Sequence, residues 1–169
     1  AEAAEMEDHL RRDLMRTAAP ETAPIEELEH AHELLRASER PVILAGHGVI
    51  ISQAHTELVS FAERLQIPVT QTLLGKGGFP QAHTLSLGMM GMHGEAAANN
   101  AIQDADLLLA LGMRFDDRVT GKLAVYSPNS KKIHIDIDPS EFGKIIKPDV
   151  TINGDAAMVL EDLIPHVVK

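Results

Sequence analysis

Apolar residues along this chain recur in two patterns: a helical spacing of three and four residues, and short runs that are apolar throughout. Residues 25–38 show the first pattern, which predicts a helix. Residues 41–46 show the second and end in glycine, which is typical of a strand buried on both faces of a parallel sheet. The two patterns then alternate along most of the chain, which indicates helices and buried strands in turn.

The same patterns predict the remaining elements. Further helices are expected from an N-cap at Ser52 to about residue 65, at 95–104 and, after a cap at Asp155, at 156–168. Further strands are expected at 67–72, 106–112, 132–138 and 150–152, with 86–88 as the candidate for a sixth. Such alternation implies crossover connections, so the predicted fold is α/β with a doubly wound, six-stranded parallel sheet.

Length and composition indicate a single globular domain. The chain has 169 residues, of which 44% are hydrophobic and only 3% aromatic, so its core is aliphatic. Residues 17–24 hold two prolines and few apolar side chains. We therefore expect residues 1–24 to be a linker or N-terminal extension and residues 25–169 to form the domain. Because the sequence begins with Ala1, we also expect a fragment of a longer protein.

Charge and cysteine content exclude several classes of partner and chemistry. The net charge of −10, with no basic stripe, argues against nucleic acid and against an anionic membrane surface as partners. The absence of cysteine excludes disulfides and thiolate chemistry. No apolar run approaches the ~20 residues of a membrane span, and no signal-peptide pattern opens the sequence. We expect a cytoplasmic location.

A glycine pair follows the first predicted strand. Gly46-His47-Gly48 lies between a buried strand and a helix, which is the context of a nucleotide-binding turn. Ile51 occupies the third glycine position of that fingerprint, and the second strand ends without the acidic residue that binds ribose in NAD domains. An ordinary NAD site is therefore not expected. The alternative is a tight strand–helix turn that holds no ligand.

A second group of polar residues follows the strand at 106–112. Arg114, Asp116, Asp117 and Arg118 would lie at the carboxyl edge of the sheet, where open α/β sheets bind ligands. The glycine-punctuated loop at 88–94 would lie nearby, and the start of the helix after it is a candidate anion site. An arginine fork suits phosphate. Alternatively, the arginines and aspartates pair with one another and only stiffen an exposed turn.

Two aspartates end a later strand. We expect Asp136 to face a ligand and accept hydrogen bonds from ribose hydroxyls or an adenine amine, and Asp138 to cap the following turn. Their spacing could also hold a divalent metal, but no third oxygen ligand is evident. The nine histidines form no zinc-binding pair. No nucleophile with an adjacent base stands out, so we assign no catalytic residue and no metal ligand.

Three motifs together resemble a known family. Gly-Met-Met-Gly-Met-His-Gly at 88–94, Gly-Met-Arg-Phe-Asp-Asp-Arg-Val-Thr-Gly at 112–121 and Ile-Asp-Ile-Asp-Pro at 135–139 are similar to the central domain of the acetohydroxyacid synthase (acetolactate synthase) catalytic subunit. The resemblance covers residues 25–168. It implies a Rossmann-like six-stranded domain that holds FAD without net redox work, in a thiamine-diphosphate-dependent transferase that condenses two 2-oxo acids with decarboxylation, for branched-chain amino acid biosynthesis.

The resemblance also implies partners. Flanking domains of a full-length, homo-oligomeric enzyme would bind thiamine diphosphate and Mg²⁺, and a regulatory subunit can associate with it. The glutamate that activates thiamine and the metal-binding motif of the family are absent from this sequence, so we expect the fragment alone to be inactive.

Carried over position by position, the family's FAD contacts imply a distributed site. The ribityl–pyrophosphate part would lie against Gly46, His47 and Gly48. The flavin side would meet Thr72, Leu73, Gly91, Met92 and His93. The pyrophosphate and isoalloxazine would follow Gly112, Met113, Arg114, Asp116, Arg118 and Val119. The adenosine end would meet Asp136, Ile137, Gly154, Asp155 and Ala156. His47 departs from the family, because its bulk replaces a smaller residue and could crowd the cofactor.

Two other interpretations stay open at the level of sequence. The domain could be a purely structural spacer with a vestigial cleft. It could also come from a related FAD-using thiamine-diphosphate enzyme, such as a pyruvate oxidase or a glyoxylate carboligase. The motifs at 89–94 and 114–121 favour the synthase.

Overall fold

A six-stranded, all-parallel sheet forms the centre of the protein in a computed structural model, which describes residues 23–166. The strands are β1 Pro41–Ala45, β2 Val69–Gln71, β3 Ser86–Met89, β4 Leu107–Leu111, β5 Lys131–Asp136 and β6 Val150–Asn153. The helices are α1 Ile25–Ala37, α2 His47–Ile51, α3 His55–Leu65, α4 Ala96–Asp104, α5 Asp117–Thr120 and α6 Ala156–Leu163. Short 3₁₀ turns lie at Leu123–Val125, Pro139–Glu141 and Ile164–His166.

The strands lie in the order β3-β2-β1-β4-β5-β6. Chain progression therefore reverses between β1 and β4, whose residues pair from Pro41 opposite Leu107 to Ala45 opposite Leu111. In open parallel sheets, a crevice forms at the carboxyl ends of the two strands where the order reverses. This topology confirms the predicted fold class.

Both faces of the sheet are covered, which explains why its central strands are apolar throughout. All five residues of β4 are buried. One face packs Ile43, Leu109 and their neighbours against α1, α3 and α6. The other face packs Leu44 and Leu108 against α4 and the segment that follows β4. Because successive side chains of a strand point to opposite faces, such a strand needs apolar residues at every position.

Two local predictions need correction. Ser52 does not cap α3: the Gly46 turn winds directly into the short helix α2, and Ser52 ends that helix by donating its N–H to the carbonyl of Gly48 at 2.9 Å. Gln53 then adopts a φ of 58°, which breaks the helix before α3 begins at His55. The segment at 115–129, for which no helix or strand is predicted above, contains α5 and a 3₁₀ turn.

Other elements begin and end close to where they are expected. The sixth strand does lie at Ser86–Met89. The helix expected at 156–168 ends at Leu163 and continues as a 3₁₀ turn, and its last predicted residues lie outside the described range. Residues 1–22 of the expected linker also lie outside that range.

Candidate functional site

A cleft of about 190 Å³ opens at the carboxyl ends of β1, β4, β5 and β6. Eight of the predicted site residues line it: His47, Gly48, Gly112, Asp136, Ile137, Gly154, Asp155 and Ala156. Ile51, Ser52 and Ile135 also line it and were not predicted. Helical spacing from His47 would have indicated Ile51, since it lies one turn further along α2.

Glycines allow the ends of β1 and β4 to approach each other closely beneath this cleft. The Gly46 N–H donates to the carbonyl of Leu111 at 2.9 Å, and the Gly48 N–H donates to the carbonyl of Gly112 at 2.9 Å. A Cβ atom on Gly48 would lie 2.6 Å from the Cα of Gly112, which itself has a φ of 52°. Backbone packing alone therefore requires glycine here, so the glycines by themselves do not demonstrate a ligand.

Asp136 ends β5 and presents a buried carboxylate to the cleft. One oxygen, Oδ1, accepts the N–H of Asp138 at 2.9 Å. The other, Oδ2, lies 3.8 Å from Nε2 of His134. Burial raises the pKa of this carboxyl to about 6. An oxygen in this position can accept hydrogen bonds from hydroxyl or amine groups of a ligand.

Neighbouring polar groups hold the ends of β5 and β6 together. Asn153 donates from Nδ2 to the carbonyls of Asp136 and Ile137, each at 3.0 Å. Asp155 caps α6, because its Oδ1 accepts the N–H groups of Ala157 and Met158. The helix cap predicted at Asp155 is thus confirmed. The cap predicted at Asp138 is also observed, since its carboxylate accepts the N–H of Ser140.

The other predicted residues lie along the same edge but outside the cleft lining. They are Gly46, Thr72, Leu73, Gly91, Met92, His93, Met113, Arg114, Asp116, Arg118 and Val119. Thr72 follows β2 and donates its N–H to the carbonyl of Ala45 at 3.0 Å. Leu73 and Met92 are exposed. The predicted site is therefore divided into the cleft and a neighbouring group of loops.

Two of these loops contact each other. The Met92 N–H donates to the carbonyl of Arg118 at 2.9 Å, so the loop after β3 lies against the segment after β4. Gly91 has a φ of 99°, and a Cβ atom there would lie 2.7 Å from the same carbonyl oxygen. This close contact brings the first two sequence motifs together.

The charged residues after β4 do not neutralise one another. Asp116 accepts the N–H groups of Arg118 and Val119, each at 3.1 Å, and so caps α5. Within the described residues, the guanidinium groups of Arg114 and Arg118 make no ion pair and no hydrogen bond. Both side chains are exposed. The interpretation of paired arginines and aspartates is therefore wrong, and two cationic groups remain available for an anion.

His134 supports this edge from below, a role that the sequence did not indicate. It is buried in β5, and its Nε2 donates to the carbonyl of Met113 at 2.9 Å. Phe115 and Phe142 pack edge-on against its ring, with centroid distances of 5.3 and 5.1 Å. Burial lowers the pKa of His134. The neutral ring thus anchors the start of the loop that carries both arginines.

His47 lines the cleft, and its side chain is exposed. Its Nδ1 lies 3.0 Å from the carbonyl of Leu74, an acceptor, so Nδ1 carries the proton. This hydrogen bond holds the ring against the loop after β2.

Residues 23–166 contain neither a membrane-spanning helix nor a cluster of metal-ligating side chains. No helix there is both long and apolar enough to cross a membrane. No group of three or more histidine or acidic side chains there could hold a metal ion.

A parallel sheet with a cleft at its switch point defines the class of doubly wound α/β domains that bind ligands at the carboxyl edge. Within this class, residues 28–163 match the family model described as "Thiamine pyrophosphate enzyme, central domain". The chain belongs to this family.

Three curated relatives are named as large subunits of acetolactate synthase. The chain is 54% identical over 142 residues to a "Probable acetolactate synthase large subunit" of Methanocaldococcus jannaschii, which covers 84% of this chain and 24% of that protein. It is 49% identical over 138 residues to the acetolactate synthase large subunit of Corynebacterium glutamicum, covering 82% and 22%. It is 48% identical over 142 residues to the acetolactate synthase isozyme 1 large subunit of Escherichia coli, covering 84% and 25%. The chain thus spans about a quarter of the length of these relatives.

Proposed function

We propose that residues 25–169 are the FAD-binding central domain of an acetolactate synthase large subunit. The parent enzyme condenses two 2-oxo acids with decarboxylation, a step of branched-chain amino acid biosynthesis. The observation that carries the proposal is the arrangement of the carboxyl edge: a cleft with a buried carboxylate, Asp136, and two unpaired arginines, Arg114 and Arg118, on the adjoining loop. Similarity to acetolactate synthase large subunits supports the choice of enzyme.

The donors and acceptors of this edge suit a dinucleotide. Asp136 Oδ2 can accept from ribose hydroxyls or the adenine amine. The arginines can bind the pyrophosphate, since a guanidinium forms charge-assisted hydrogen bonds with phosphate oxygens. The net charge of −10 disfavours anion binding elsewhere on the protein, so these two arginines are the groups to which we assign the pyrophosphate. The carboxylate of Asp155 caps α6. In this proposal the pyrophosphate therefore lies against the arginines and not against Asp155.

The size of the cleft determines how such a ligand would lie. At about 190 Å³, the cleft is smaller than the ~300–1,000 Å³ typical of pockets that enclose a whole small molecule. It therefore fits one end of a dinucleotide, which we assign to the adenosine. The six strands at ~4.8 Å spacing make an edge about 24 Å long. The flavin would extend along this edge toward the loops at Leu73 and Met92.

We do not assign catalysis to this chain. Bound FAD would act here as a structural cofactor without net redox work. Thiamine diphosphate and Mg²⁺ belong, in this proposal, to other domains of a full-length cytoplasmic homo-oligomer that can associate with a regulatory subunit.

Titration of the chain with FAD, followed by flavin fluorescence, tests the proposal. We expect saturable binding that Arg114→Ala and Asp136→Ala each weaken by about 10- to 100-fold, the range for losing a charge-assisted hydrogen bond. Lys122→Ala and Glu161→Ala are matched controls, because both replace exposed charges away from the cleft lining. Failure of the folded chain to bind FAD would refute the proposal for this chain and favour the spacer interpretation.

A further inference from the structure

Asn99 on α4 forms two hydrogen bonds with the backbone of one residue in the loop after β3. Its Oδ1 accepts the N–H of Gly91 at 2.9 Å, and its Nδ2 donates to the carbonyl of Gly91 at 3.0 Å. A carboxamide is suited to this because it presents a donor and an acceptor side by side. The geometry resembles the exchange of two hydrogen bonds between paired strand residues.

Gly91 needs such a partner. It is buried, and its φ of 99° belongs to a region that residues other than glycine rarely adopt. The carbonyl of Gly91 also accepts the N–H of Gly94 at 2.9 Å, but the Gly91 N–H has only Asn99 as an acceptor among residues 23–166. Without the carboxamide, a buried N–H would lack a partner, which costs free energy and favours rearrangement of the loop.

The position of Gly91 also affects the contact made by the next residue, Met92. Met92 donates its N–H to the carbonyl of Arg118, so the position of Gly91 determines how the loop meets the segment that carries the arginines. Upstream, β3 is already displaced by a bulge, where three residues of β2 face four of β3 from Ser86 to Met89. The Thr70 hydroxyl satisfies the Gly88 carbonyl at this bulge, at 3.0 Å. The two polar contacts, at Gly88 and Gly91, therefore hold the loop at successive points.

We propose that Asn99 is a positioning residue for the flavin end of the cofactor: it holds Gly91 so that Met92 and His93 meet the Arg118 segment in one arrangement. This inference rests on the proposed FAD site. Asn99 does not line the cleft, which we assign to the adenosine. Loss of the two hydrogen bonds between Asn99 and Gly91 should therefore weaken the binding only of ligands that carry a flavin.

Parallel titrations of the chain with FAD and with adenosine separate this role from a general effect on folding. For Asn99→Ala we expect about tenfold weaker FAD binding, in keeping with the loss of two neutral hydrogen bonds, and unchanged adenosine binding. Asn100→Ala is the matched control, because Asn100 is the exposed neighbour in the same helix and should leave both affinities unchanged. Both substitutions favour the helix, since alanine has the higher propensity.

A second variant keeps the proposal testable if Asn99→Ala folds poorly. Asn99→Asp has nearly the same shape and retains an acceptor for the Gly91 N–H, but a carboxylate oxygen replaces the donor and repels the Gly91 carbonyl, so we again expect weaker FAD binding with unchanged adenosine binding. Equal FAD affinity in Asn99→Ala and Asn100→Ala would overturn the inference, and so would a parallel loss of FAD and adenosine binding. Absence of FAD binding in the unmodified chain would instead overturn the proposed function on which the inference rests.

Discussion

Replacing Asp136 with asparagine should make the protein more stable above pH 6 and less able to bind FAD. Burial raises the pKa of this carboxyl from its usual 3.8 to about 6, so the folded state resists its ionisation. At about 1.4 kcal/mol per pKa unit, this pKa difference means that ionising Asp136 in the folded state costs at most about 3 kcal/mol of stability. Because part of the group contacts water, we expect less than that, on the order of 1–2 kcal/mol.

The sign of the pH dependence follows from which state holds the proton. Between pH 3.8 and about 6, the folded state binds the proton of Asp136 more tightly than the unfolded state does. The wild-type protein should therefore lose this contribution as pH rises through that range, and the variant should not. His134, Asp138 and Glu141 lie around the carboxyl in both proteins, so their own titration largely cancels in the comparison.

Denaturant unfolding at a pH near 4 and at a pH above 6 measures the effect. The free energy of unfolding of Asp136→Asn should match the wild type at the lower pH and exceed it at the higher pH. Asp149→Asn is the control of opposite sign, because hydrogen bonds from Lys131 and Lys132 outweigh the effect of burial and hold the pKa of Asp149 below its usual value. A variant that is less stable than the wild type above pH 6, or a difference independent of pH, would refute the reasoning.

Two further substitutions test the support beneath the site. Gly48→Ala places a Cβ atom 2.6 Å from the Cα of Gly112 and should destabilise the protein by about 1–3 kcal/mol, the usual range for overpacking; an unchanged melting temperature would show that the strand ends can separate freely. His134→Phe keeps a ring between its aromatic neighbours but leaves the Met113 carbonyl without its donor, so we expect a loss of about 1–3 kcal/mol in urea unfolding, and a variant as stable as the wild type would contradict the assigned hydrogen bond.

The strands were predictable from sequence because their signal is local. A strand covered on both faces must be apolar at every position, and the run at Leu107–Leu111 shows this without any knowledge of its neighbours. Helix caps at Asp138 and Asp155 were predictable for the same reason, since the side chain binds N–H groups two or three residues away. The start of α2 was missed because a glycine turn can lead into a helix or an extended segment, and the packing of Gly48 on Gly112 selects the helix.

The sequence by itself determined which residues carry chemistry at the carboxyl edge: the glycine turn, the arginines and Asp136 can each be recognised from the strand that precedes them. Only the tertiary structure decided which of them share a cleft, because the lining comes from four strands whose order in the sheet depends on packing between distant segments. The same holds for hydrogen bonds. Distances of a few ångströms between loops decide whether Arg114 pairs with an aspartate. They also decide which backbone group Asn99 binds. Such distances are set when the helices close over the sheet, and no local pattern encodes them.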